Sequence, residues 1–136
     1  MTEAVLDASV VIKWFRSDGE RHVDSARALR RSFEAGELIV FTPPLLRLQL
    51  VNVAGRRWGW DEEALVDLAA SLDELGFEQI EPDLRRVARW TARGLTAYDG
   101  AYVAVAEAVG TPLITDDDLI VEVAKEIARP LAEIRS

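Results

Sequence analysis

The chain has no cysteine, which excludes disulfides, thiolate metal sites, cysteine nucleophiles and thiol redox sensing together. It has a single histidine, His22, placed in an amphipathic segment with no serine elbow beside it, so a Ser-His-Asp hydrolase does not fit and His22 is expected at the surface. Neither Gly-x-Gly-x-x-Gly nor Gly-x-x-x-x-Gly-Lys-Ser/Thr occurs, which removes the usual dinucleotide and nucleotide loops. No stretch approaches the roughly 20 apolar residues of a spanning helix. The short apolar run after Glu3 also lacks a basic leader and a cleavage pattern. The expectation is a soluble, cytoplasmic protein with no membrane partner. Positive charge is scarce: 16 basic residues face 24 acidic ones for a formal net charge of -8, which argues against nucleic-acid binding through bulk charge.

What is present is a packed domain. The 136 residues, 49% apolar and 29% charged, suit one globular domain over 1–136. Short apolar runs at Glu3–Asp7, Glu37–Phe41, Phe77–Ile80, Thr111–Thr115 and Pro130–Ile134 read as strands. Helical spacing marks Ser9–Phe15, Glu20–Ala35, a segment capped by Thr42 and running to Arg57, and Asp61–Leu75. Further helices are expected from Pro82 or Asp83 to Gly94, over Tyr98–Val109 and over Leu119–Ala128. The alternation predicts an α/β fold with a mainly parallel sheet of four to five strands.

Parallel sheets bind ligands beyond the carboxyl ends of their strands, and the acids gather there. Asp7 follows the first strand, Asp116, Asp117 and Asp118 follow the fourth, and Asp99 opens the most apolar helix. If those strands are neighbours, three carboxylate positions meet and call for a hard cation such as Mg2+ or Mn2+. Each position also lies at a helix start, where an aspartate serves equally well as an N-cap, so both readings stand on the residues alone. Trp14, Trp58, Trp60 and Trp90 are open to base stacking, but core packing is expected for Trp90 and an interface is at least as good a reading for Trp58 and Trp60. Arginine clusters at Arg30-Arg31, Arg56-Arg57 and Arg85-Arg86-Arg89-Arg93 read mainly as solvated helix faces, one of which could guide a phosphate backbone.

The order of segments resembles the PIN-domain ribonucleases, specifically VapC toxins of bacterial toxin-antitoxin pairs. Val5-Leu-Asp-Ala-Ser-Val-Val-Ile-Lys-Trp-Phe15 looks like the family's opening motif, and Thr42-Pro-Pro-Leu-Leu-Arg-Leu-Gln-Leu-Val-Asn52 lies where the second occurs. Thr96-Ala-Tyr-Asp-Gly-Ala-Tyr-Val-Ala-Val-Ala106 and Pro112-Leu-Ile-Thr-Asp-Asp117 look like the third and fourth. The resemblance spans nearly the whole chain. It implies a three-layer α/β/α sandwich and a Mg2+- or Mn2+-dependent endoribonuclease. It further implies a homodimer, an RNA substrate and a small antitoxin that blocks the site. Asp7, Asp99 and Asp117 match the metal-binding carboxylates, with Ser9, Asn52, Thr115 and Asp116 as supporting positions. Helix faces near Trp14-Phe15 or Leu45-Leu46 are expected to accept an amphipathic partner helix.

Gln49 departs from the pattern, because the family usually has glutamate there. Glutamine keeps the reach and an acceptor oxygen but loses a charge, and no other acid on that segment replaces it. Three readings stand: an enzyme that needs more metal, a weakened PIN binding module acting mainly through antitoxin complex formation, or a residue changed to suppress toxicity. A phosphatase-like or receiver-like α/β domain is the reading from a different class.

Overall fold

The computed structural model describes residues 2–135. Its strands are β1 (Thr2–Leu6), β2 (Leu38–Thr42), β3 (Glu78–Gln79), β4 (Leu113–Thr115) and β5 (Ala128–Pro130). The helices are α1 (Ala8–Phe15), α2 (Val23–Glu34), α3 (Leu45–Arg56), α4 (Glu62–Asp73), α5 (Leu84–Ala92), α6 (Ala97–Val109) and α7 (Asp118–Val123). The strands pair in the order β3-β2-β1-β4-β5 and every pairing is parallel, so the expected α/β/α architecture is present. The chain winds outward from β1 through β2 to β3, then returns to lay β4 on the other side of β1. The divergence of the two halves at β1 and β4 is the position where open parallel sheets bind ligands.

Burial follows the residue pattern. Ala4, Val5 and Leu6 of β1 are all buried, as a central parallel strand covered on both faces requires. Leu46, Leu50 and Ala54 form the inward stripe of α3 at intervals of four, one per turn. In α6 every residue from Gly100 to Ala106 is buried, because its small side chains let neighbours approach on all sides. A Cβ at Gly100 would come within 3.4 Å of both the Trp90 Cβ and the Val87 carbonyl oxygen. This close fit makes α6 a rigid support for the residues at its start.

The structure corrects several expected boundaries. Thr42 ends β2, and the α3 N-cap is Pro44 with no side-chain bond. The helix expected from Glu20 begins at Val23, because His22 takes a left-handed φ of 57°. That residue belongs to a loop tied elsewhere by ion pairs. Helix α7 stops at Val123, and β5 is Ala128–Pro130, paired with Leu113–Thr115 of β4. The chain turns early to reach this edge, where proline's missing donor is tolerated. Trp90 is buried and donates to Glu107 Oε1 at 2.8 Å. Trp14 is also internal, donating to the Ala26 carbonyl and packing against Phe33 and Phe77. The Trp14 face expected to receive a partner helix is therefore already covered.

Candidate active site

Asp7 follows β1 and lies at the α1 N-cap, yet it makes no side-chain capping bond. It is 4% exposed, and its carboxylate turns instead to two hydroxyls. Ser9 donates to Oδ1 at 2.6 Å and Thr115, the last residue of β4, donates to Oδ2 at 2.5 Å. The parallel pairing of β1 with β4 brings Thr115 to this position. Ser9 and Thr115 thus engage both oxygens of the Asp7 carboxylate.

Asp117 does cap: its Oδ1 accepts from the Leu119 and Ile120 N–H groups at 2.9 and 3.1 Å. Its own N–H donates to Thr115 Oγ1 at 3.0 Å. One carboxylate oxygen is left for other use, so capping and function coexist. Asp99 lies in the first turn of α6, where Thr96 is the N-cap and accepts from the Asp99 N–H. Its carboxylate is therefore not needed for capping.

The three acids sense one another. The Asp7 carboxyl is pushed up from its ordinary 3.8 to about 6, first by burial and further by the charges of Asp99 and Asp117, against the lowering effect of Ser9 and Thr115. Asp99 is raised too, by burial and then by the Asp117 charge. Among the described residues no basic side chain forms an ion pair with Asp7, Asp99 or Asp117. Among the described residues, however, no three histidine, cysteine or acidic side chains close into a ready-made metal cage. An all-oxygen, open set of this kind fits magnesium or manganese, which keep several waters, better than a metal that needs a full protein cage.

This raised pKa predicts a pH effect. A folded state that holds the Asp7 proton more tightly than the unfolded chain gains stability fully present below about pH 4 and lost as pH rises through about 6, roughly 3 kcal/mol in all. Urea unfolding in chelator should show that Asp7→Asn removes this loss, so the variant gains on the parent between pH 4 and 7. Magnesium or manganese should restore more stability to the parent at pH 7 than at pH 5. Equal pH dependence in parent and variant would sink this account of Asp7.

The other expected residues separate. Gln49 reaches the site from α3, where its Oε1 accepts from the Tyr102 hydroxyl at 2.5 Å. Asn52 is exposed on the same helix and makes no side-chain hydrogen bond to the site residues. Asp116 belongs to a different network. Its carboxylate meets Lys13 Nζ and Arg21 Nε, each at 3.2 Å, while its N–H donates to Ser9 Oγ. Asp118 is exposed and only grazes Arg21 at 3.4 Å.

Three residues of this edge escape a reading of the chain alone. Tyr102 is 1% exposed and is influenced by the Asp7 and Asp99 charges, which together with burial push its hydroxyl well above the usual range. Its signal was the spacing of three from Asp99, which puts both on one helix face. Lys13 is a buried cation inside an apolar helix, and a charge so placed signals a partner. Arg21, the arginine paired at this edge, lies outside every arginine cluster visible in the sequence.

Comparison with known proteins places the fold in a family. Residues 4–126 match the PIN domain family. No curated protein sequence matches the chain. Among solved structures, PAE2754 from Pyrobaculum aerophilum is similar at 22% identity and a TM-score of 0.65, with 96% of this chain and 92% of that one covered. VapC20 of Mycobacterium tuberculosis, described as a sarcin-ricin loop cleaving toxin, is similar at 16% identity and a TM-score of 0.66, with 90% and 94% covered. At these identities the structural likeness establishes a shared fold.

Proposed function

We propose that this chain, which belongs to the PIN-domain family, is a metal-dependent endoribonuclease toxin of a toxin-antitoxin pair that hydrolyses RNA phosphodiester bonds. The observation that carries the proposal is the buried Asp7 at the β1/β4 switch point, crowded by Asp99 and Asp117. The chemistry supplied by magnesium or manganese, when bound, is activation of water and neutralisation of charge on the phosphate.

Asp7, Asp99 and Asp117 would hold that cation. Ser9 and Thr115 keep the Asp7 carboxylate in one orientation, and the packed α6 holds Asp99 in place. The free oxygen of Asp117 is suited to orient the attacking water, since its other oxygen is committed to the α7 cap. RNA would be met by local arginines, because the net charge of -8 opposes attraction at long range.

The partner reading has its own support. Leu48 is 71% exposed and lines a cleft of about 400 Å³ with Leu45, Val51 and Leu72. An amphipathic antitoxin helix would cover this apolar surface. Of the expected Leu45-Leu46 face, Leu46 is buried and Leu45 borders this cleft beside Leu48. A homodimer and a cytoplasmic location complete the proposal. No helix among the described residues is long and apolar enough to cross a membrane.

Gln49 favours a second reading, a weakened PIN module that acts mainly by complex formation, because the amide removes a charge and its oxygen is already taken by Tyr102. A cleavage assay separates the two. Single-stranded RNA incubated with manganese should be cut by the chain as it stands, and chelator should abolish the cutting. Absence of cleavage at any manganese concentration, with cleavage gained by Gln49→Glu, would select the weakened module.

A further inference from the structure

A glutamine can offer a ligand either an oxygen or an N–H, and its surroundings decide which. At Gln49 the oxygen faces the Tyr102 hydroxyl at 2.5 Å. That hydrogen bond turns the amide oxygen toward Tyr102 and its NH2 group away from it. The Tyr102 hydroxyl carries one proton, and Gln49 Oε1 accepts it. The buried hydroxyl stays protonated near neutral pH, since burial and the charges of Asp7 and Asp99 oppose its ionisation. It is a permanent donor, and the amide oxygen is its acceptor.

The consequence concerns the other end of the amide. The only buried side-chain nitrogen or oxygen without a partner, among the described residues, is Arg47 Nε. The Gln49 NH2 is therefore not sealed in the interior, and no protein acceptor is hydrogen-bonded to it. Gln49 is held by Tyr102, a residue that feels the charges of both Asp7 and Asp99. The half-buried Gln49 thus contributes a donor whose orientation Tyr102 fixes.

We propose that Gln49 acts as a substrate-positioning donor, giving an amide N–H to a non-bridging oxygen of the RNA phosphate, rather than as a cation ligand. Tyr102 is the positioning residue that holds this orientation. The proposal deepens the ribonuclease reading and rests on it. It also turns an apparent defect into a division of labour: three carboxylates for the cation, one neutral donor for the anion. A carboxylate at position 49 would repel the phosphate that the amide attracts.

Two affinities measured on the full chain test it. RNA binding is read by fluorescence anisotropy of a single-stranded oligonucleotide in chelator at low salt, and manganese binding by titration without RNA. Gln49→Ala should weaken RNA binding about ten- to hundredfold, as loss of a hydrogen bond to a charged group predicts, and leave manganese affinity within about twofold. Gln49→Glu should weaken RNA binding in chelator further while tightening manganese. Tyr102→Phe, with folding checked by thermal melting, should reproduce a large part of the RNA loss because the amide is then free to turn.

Weaker manganese binding by Gln49→Ala with RNA affinity unchanged would make the amide a cation ligand and overturn the proposal. Unchanged affinities for both would overturn it too, as would a parent chain that fails to bind RNA. A parent that binds RNA without cutting it sinks the ribonuclease reading alone, and the Gln49 comparison still decides.

Discussion

Asp99→Asn is expected to lower RNA cleavage at saturating manganese by about 10²–10³-fold, the loss typical when one preorganised electrostatic group is removed from a reacting centre. The substitution is nearly isosteric, so it tests charge and not shape. Asp99 is half-buried on α6, and its carboxylate has no capping duty because Thr96 serves that role. Folding should therefore be almost untouched. Relief of crowding between Asp99 and Asp117 should even add slightly to stability in chelator. A variant that loses activity while its urea midpoint holds or rises separates function from structure. Cleavage by Asp99→Asn as fast as by the parent would remove Asp99 from the site, and with it the three-carboxylate account.

Asp99 stood out in the chain as a candidate because its helix is apolar enough to be buried, and a carboxylate placed there calls for a partner. Strand and helix alternation was legible for a similar reason, since periodicity is local. Sheet order was not. That β1 lies between β2 and β4 depends on pairing between segments more than a hundred residues apart, such as Leu6 with Ile114. The meeting of Asp7 with Asp117 could only be stated as a condition. The competing uses of aspartate also resolve differently at each position. Asp7 makes no cap, Asp99 leaves capping to Thr96, and Asp117 caps with one oxygen only.

What stayed hidden was the second layer. Tyr102 reads as one more core residue of α6 until Gln49 arrives from α3, and Gln49 reads as a lost carboxylate until its oxygen is found occupied. The shortened α7 and displaced β5 have the same origin. Helical spacing continued past Val123, but the demand of β4 for an edge partner overrode local preference.

The largest expected loss of stability is at Lys13. Its side chain is 2% exposed, and Nζ lies 2.8 Å from Glu20 and 3.2 Å from Asp116. Removing one partner of a buried ion pair costs about 3–5 kcal/mol, because the remaining charge is left without compensation. Here two carboxylates would be left facing each other, although Arg21 still holds Asp116 and Glu20 retains some solvent contact. Lys13→Met should therefore destabilise the protein by about 2–3 kcal/mol, measured by urea unfolding at pH 7. Arg21→Gln, at a side chain 56% exposed, should leave the urea midpoint almost unchanged. Adding Glu20→Gln to Lys13→Met should recover part of the loss, since the repulsion between the stranded acids is reduced. A loss below about 0.5 kcal/mol for Lys13→Met would show the network to be as weak as a surface pair. The damage should also reach the chemistry. The Asp116 N–H donates to Ser9 Oγ at 2.9 Å and Ser9 donates to Asp7 at 2.6 Å, so the turn anchored by Lys13 also sets the hydroxyl that orients the central carboxylate. Cleavage by Lys13→Met should fall even at temperatures where the variant is fully folded.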